Sequence, residues 1–384
     1  MSRCSDAKAV KRGELGFNLI ELLMSLSMAT ILFMSIVVLF VKQSEVMQSQ
    51  NDVIDVGREA QFAVDHLRRD LTSLGSNSTP NSDIDGTVCP KPMTSLRALS
   101  VSVENGYVVR PDLNPNIHPV ALTLFGSLDV KQRFRTASIS GDKIFLLDDG
   151  KLPVSQPAFD DLFATDRYLR ISGSDGTQMF FTIASSSFGD RSVTVTEAVP
   201  RQGEGQSCGY QGFGQNYSID VQNFVRYRVI ADARPGAPLD KNGQASQTLL
   251  VRERMAPDGI TLKKQLVLAE NAVDFGISDV GVDMEPAPDK VKMQLFPIVD
   301  DVAQKSGSGV LGTGPAARPE ALRFLTVKLS LRSAWPDARL TPMPRDDVYK
   351  PLVTFRIADD EVGSHAVSTV ATRVSMPTLV SRNL

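Results

Sequence analysis

The chain has 384 residues, 42% of them hydrophobic and 22% charged, with 41 Lys and Arg against 44 Asp and Glu for a net charge of −3. That balance, without a basic stripe interleaved with aromatics, argues against an electrostatically driven nucleic-acid binder. Cys89 and Cys208, without nearby histidines, are too few ligands for a metal centre.

The first predicted element begins near the amino terminus. Residues 1 to 16 carry Arg3, Lys8, Lys11 and Arg12 against Asp6 and Glu14, and a Gly16-Phe17 junction follows. Beyond it the apolar run has one charge, Glu21, and from Leu22 to Val41 twenty residues carry no ionisable group. At about 1.5 Å rise per residue this run spans about 30 Å as a helix, the thickness of a bilayer core. The basic excess ahead of it predicts a cytoplasmic leader and an outward C-terminal portion, periplasmic in a bacterium. A secretory signal places its apolar stretch before the cut, whereas here the stretch lies after the junction and stays with the mature chain. A plain membrane anchor is the other reading, and it leaves Glu21 unexplained. A carboxylate one turn inside a membrane helix costs about 2.5–3.5 kcal/mol on insertion scales. It therefore needs a partner or a function, unless it snorkels to the interface.

Gly16, Phe17-Asn18-Leu19-Ile20-Glu21 and the apolar run together resemble the processing site of type IV prepilins. The resemblance implies cleavage between Gly16 and Phe17 by a prepilin peptidase and N-methylation of Phe17, which keeps the terminal charge. It also implies that Glu21 pairs with the positive amino terminus of a neighbouring subunit, setting the register between them. The chain departs from the family pattern in its longer leader, in Leu15 before the glycine and in Asn18 at the second mature position. A cut after Gly13 would instead make Glu21 the eighth mature residue and lose the pairing.

Past Val41 the helix continues with an amphipathic face. Ala60, Val64, Leu67, Leu71 and Leu74 recur at spacings of four, three, four and three, and Gly75 with the polar cluster through Pro80 supplies the stop. Unbroken from Phe17 to Leu74, such a helix is about 87 Å long. Gly57 is the candidate kink, because an interior glycine costs about 1 kcal/mol relative to alanine. Residues 58 to 71 are similar to the post-membrane helix of PilW-type minor pilins and of the J-type pseudopilins of type II secretion.

From residue 76 onward the patterning turns to strands, expected at Leu96–Val103, Lys143–Leu147, Tyr168–Ser172, Gln178–Ile183, Ser192–Thr196, Val221–Ile230, Thr248–Arg252, Gln265–Leu268, Leu322–Leu331 and Ala366–Val374. The predicted class is α+β: a long N-terminal helix, 17–75 with a transmembrane half at 17–41, packed on an antiparallel β-rich head at 76–384. A head of this size has room for two subdomains, or for one core with insertions at 232–246 and 285–319, the second read as a mobile loop. Val221–Ile230, Leu249–Arg252, Leu266–Phe275 and Leu322–Arg332 resemble the strand order of PilW-like proteins, which implies a type IV pilin-like fold.

Cys4 leaves with the leader, so Cys89 and Cys208 remain as a pair for an oxidising periplasm. A disulfide between them closes a loop of about 120 residues, worth about 4–5 kcal/mol on the loop-entropy model. Two unpaired buried thiols are the alternative. Catalytic motifs are missing: His66, His118 and His365 are scattered, and the glycine-rich 203–214 stretch lacks the Lys-Ser/Thr ending of a phosphate loop. The acidic pairs at 148–149, 160–161, 300–301, 346–347 and 359–361 lack EF-hand spacing and read as solvated turns rather than calcium ligands.

The expectation is therefore a non-enzymatic minor pilin without a cofactor, anchored in the inner membrane and then incorporated into an extracellular pilus. The family resemblance implies that it primes assembly in a tip-associated complex with other minor pilins, the major pilin and a PilY-type adhesin. Two alternatives remain: a J-type pseudopilin, whose relatives are usually much shorter, and a membrane-tethered adhesin that never polymerises.

Overall fold

The computed structural model describes residues 18–75, 77–103, 112–117, 119–203, 212–237, 245–283, 293–298, 311, 318–345, 350–358 and 360–376. Residues Leu19–Ser73 form one 55-residue helix, α1, hydrogen-bonded without interruption through Gly57. It starts where the Asn18 carbonyl accepts the N–H groups of Glu21 and Leu22. It ends where Gly75 and Asn77 enter the left-handed region at φ 74° and 56°, a conformation that glycine and asparagine tolerate best.

The chain divides into two units, residues 1–52 and 53–384. In the described part of the first, every large apolar side chain from Leu19 to Val41 is exposed, the least so being Val37 at 43%. A helix apolar on all sides needs a nonpolar surrounding, and this one is long and apolar enough to cross a membrane.

The second unit is an antiparallel β-rich domain, which with the helix makes the chain α+β. Its strands are β1 (Leu99–Val103), β2 (Val120–Gly126), β3 (Arg133–Ser140), β4 (Lys143–Leu146), β5 (Tyr168–Ser172), β6 (Gln178–Ser187), β7 (Ser192–Val195), β8 (Ser218–Ala231), β9 (Thr248–Met255), β10 (Leu262–Glu270), β11 (Ala272–Asp283), β12 (Met293–Ile298), β13 (Leu322–Arg332), β14 (Thr354–Phe355) and β15 (His365–Ser375). A short helix, α2 (Gln156–Leu162), lies between β4 and β5.

Strand β8 is the hub. Its first residues pair with β3 on one side and β5 on the other, and the intervening pairs β3–β4, β4–β7, β7–β6 and β6–β5 close the circuit into a ring. Phe134, Ile144, Leu169, Ile171, Phe181, Val193, Ile219 and Val221 share one buried cluster there with Phe159 and Phe163 from the α2 region. Beyond Gln222 the same strand pairs with β2 and β9, which extend an open sheet to β1 and β10. A second sheet runs β12-β11-β13-β15-β14.

The predicted helical stripe is core: Ala60, Val64, Leu67, Leu71 and Leu74 are at most 2% exposed. They share one cluster with Leu122, Leu124, Val225 and Tyr227 of the first sheet and with Phe275, Leu325, Val327 and Leu329 of the second. Val225, Tyr227 and Val229 lie on one buried face of β8 as their alternation predicts.

Three expectations need correction. Leu266–Phe275 is not one strand: Asn271, at φ 56°, ends β10 and starts β11, so the chain passes from the first sheet to the second in one residue. Residues 285–319 are not wholly loop, because Met293–Ile298 pairs along β11 and Pro319–Ala321 forms a single 3₁₀ turn. Strands β2 and β3 lie in segments not anticipated as strand. The 232–246 segment joins the antiparallel neighbours β8 and β9.

Candidate functional site

The amino-terminal half of α1 carries the first candidate site. Glu21 sits in the first turn of the helix, where the free N–H groups and the positive dipole end favour a negative charge. Gly16 and Phe17 lie outside the described residues. Farther along, the hydroxyls of Ser25, Ser27, Thr30 and Ser35 donate to the carbonyls of Leu22, Met24, Ser27 and Ile31 at 2.8–3.0 Å. Each satisfies its donor inside the helix, so these polar residues can face lipid without an unpaired O–H. Glu21 is the one side chain between Asn18 and Val41 whose charge cannot be satisfied this way.

In the second unit α1 is tied down by polar contacts as well as by its stripe. Asp70, buried on the helix, accepts the Tyr227 hydroxyl of β8 at 2.5 Å and Arg252 Nε of β9 at 2.9 Å. Burial, then the Asp70 carboxylate, pushes the Tyr227 phenol well above its ordinary value, so it stays a neutral donor. Burial opposes the Arg252 charge, but the fields of the Tyr227 oxygen, Asp70 and Asp129 outweigh it and hold the guanidinium above its ordinary value. One helical turn earlier His66 Nδ1 lies 3.4 Å from the same hydroxyl, and burial pushes its imidazole down. At the other end of this stretch Glu59 accepts the Glu270 N–H at 2.6 Å, holding the sheet-to-sheet corner.

A second polar network fastens the segment after the helix. Asp85 accepts Thr79 Oγ1, the N–H and hydroxyl of Thr87, and Gln178 Nε2, all within 3.0 Å. Gln178 in turn accepts Arg170 Nε, and Arg170 reaches Asp220 at 2.7 Å. Cys89, disulfide-bonded, lies beside this network, its N–H donating to the Gln178 carbonyl at 3.2 Å. Cys208 lies outside the described residues.

The acidic pairs within the described residues face bases or hydroxyls. Asp148 meets Arg191 at 2.6 Å and Asp149 meets Lys151 at 3.0 Å. Asp160 accepts Ser186 Oγ, and Glu361 binds His365 Nε2, each at 2.9 Å. Among the described residues no cluster of three or more His, Cys, Asp or Glu could hold a metal. His66 neighbours the Tyr227 hydroxyl and His365 neighbours the Ser333 carbonyl and Glu361, and His118 lies outside the described residues. The end of the glycine-rich stretch is packed: Phe213 is 1% exposed, and a Cβ on Gly212 would meet the Arg201 carbonyl oxygen at 1.9 Å.

The sequence reading missed a cleft of about 430 Å³ beside β9, β10 and α2, lined by Arg167, Arg252, Arg254 and Lys264 together with Asp129 and Asp161. Its residues come from three separated stretches of chain, 129–132, 153–167 and the β9–β10 hairpin. The one local sign was Arg252-x-Arg254, whose spacing puts both guanidinium groups on one face of a strand.

No family model, curated protein or solved structure matches the chain.

Proposed function

We propose that the protein is a minor pilin of the PilW type, a structural subunit of a type IV pilus that primes assembly within a tip-associated complex. The observation that carries this reading is Glu21: a lone carboxylate in the first turn of an apolar helix, five residues past a Gly-Phe junction. In a low-dielectric filament core such a group attracts the methylated terminus of Phe17 on the next subunit strongly, and its removal leaves that cation uncompensated. The exposed apolar half of α1 supports the same reading, since it needs lipid before assembly and apolar neighbours after it. The head then supplies lateral contacts to other minor pilins and to a large adhesin. An inner-membrane anchor with a periplasmic head follows from the basic leader.

The test has two parts. Mass spectrometry of the processed protein is expected to find an N-methylated Phe17 as first residue, with Gly16→Ala uncut. Glu21→Ala is expected to abolish complementation of piliation, with the wild-type product present in sheared filaments. An uncut wild-type protein, or normal filaments with Glu21→Ala, would sink the proposal. Exoprotein retention without loss of pili would point to the pseudopilin alternative.

A further inference from the structure

The cleft beside β9 and β10 holds a cation whose hydrogen bonds are unmet. Arg167 is 2% exposed, and its Nε and Nη1 have no hydrogen-bond partner among the described residues. Its Nη2 stands 3.9 Å from carboxylate oxygens of both Asp129 and Asp161, within ion-pair range but beyond a hydrogen bond. Asp129 is engaged elsewhere, accepting Arg252 Nη2 at 2.5 Å, and the exposed Asp161 lies 3.8 Å from Arg254 Nη1, likewise beyond a hydrogen bond. Arg254 Nε is 2.7 Å from Asp166, in an ion pair whose angles miss those of a hydrogen bond. Lys264, exposed on β10, adds a fourth cation to the lining. Asp70, Asp129, Asp161 and Asp166 balance the charge of the four cations, so what is unmet is hydrogen bonding, at Arg167 Nε and Nη1 and at Arg254 Nε.

A buried guanidinium is costly unless acceptors reach it, and a planar fork selects paired oxygens. We propose that this cleft is a binding site for a carboxylate group, received by Arg167 with Lys264 at the mouth. Carboxylate is favoured over phosphate because Asp129 and Asp161 line the same space and repel the two charges that a phosphate carries on one group more than the single charge of each carboxylate group. The volume falls within the range of small-ligand pockets. The carboxylate can come from a free dicarboxylate or from an acidic side chain offered by a peptide. The inference does not depend on the pilus assignment.

Calorimetry on the full-length protein in detergent, titrated with succinate, with a short Asp- and Glu-rich peptide and with inorganic phosphate, tests the proposal. Saturable binding of succinate or of the peptide is expected, the tighter probe identifying the source, with phosphate at least ten-fold weaker. Arg167→Gln is expected to abolish saturation. Lys264→Ala, on the exposed stretch of β10, is expected to weaken it at least five-fold while thermal unfolding stays as in the wild type, so a misfolded Arg167 variant cannot leave the matter open. Absence of saturable binding by both carboxylate probes, phosphate binding as tightly as they do, or Lys264→Ala binding unchanged would overturn it.

Discussion

Asp70 is the residue on which the helix-to-sheet joint turns. It is 6% exposed and serves two donors on two strands, Tyr227 and Arg252. Asp70→Ala would strand a buried hydroxyl and weaken the anchoring of a cation that also holds Asp129. The expected loss is about 3 kcal/mol in denaturant unfolding of the detergent-solubilised protein. Replacing Tyr227 with Phe as well should cost less than the sum of the two changes, because the two groups share one interaction. The buried His365 and the half-buried His66 set the pH response. His365 has an acceptor at each ring nitrogen, the Ser333 carbonyl at Nδ1 and Glu361 at Nε2, and faces Arg332; burial, then the Arg332 charge, pushes its imidazole below the ordinary 6.5 despite Glu361. Burial lowers His66 likewise, among Asp70, Arg252, Arg69 and Asp129. A depressed imidazole means that the unfolded chain takes up the proton first. Its contribution is complete above pH 6.5 and is lost as the pH falls through the folded value. Burial raises the Glu59 carboxyl, which acts in the opposite direction. The melting temperature is thus expected to fall between pH 7.5 and 5, and His365→Gln to flatten that slope; a slope unchanged by the substitution would rule out His365 as its source.

At the scale of elements, legibility followed burial geometry. The helical stripe at Ala60 to Leu74 was readable because one face is buried and the other wet. Strand β5 was found to its ends because Gly and charged turns bound it. Strand β2 was missed because it is buried on both faces, so its apolar residues run together without alternation. Strand β3 was missed for the opposite reason: only Phe134 and Thr136 of its residues are buried, and its length is polar. The β10–β11 break lay hidden because Asn271 is a single residue whose left-handed backbone leaves no longer trace. Gly57 was read as a weak point of α1, yet the helix passes through it, and a Cβ there would sit 3.6 Å from Ser368 Oγ, an ordinary contact. Gly57→Ala is therefore expected to stabilise the protein by up to about 1 kcal/mol through helix propensity. A destabilised variant in equilibrium unfolding would show that this position needs glycine for another reason.

For the whole molecule, the α+β class, the single long helix and the antiparallel head were all legible, whereas the ring and the cleft were not. Ring closure depends on residues 218–222 of β8 pairing with 133–135 of β3 and with 168–172 of β5, and no local pattern encodes such distant returns. Arg167 and Lys264 likewise meet only through that path. Because β8 runs from the ring into the open sheet, neither part can lose it alone. The two should behave as one foldon in native-state amide exchange: backbone amides of Ile219 and Val225, on either side of the Gln222–Asn223 crossing, should share a single opening free energy, and trimming the ring away should leave an insoluble remainder rather than a smaller stable protein.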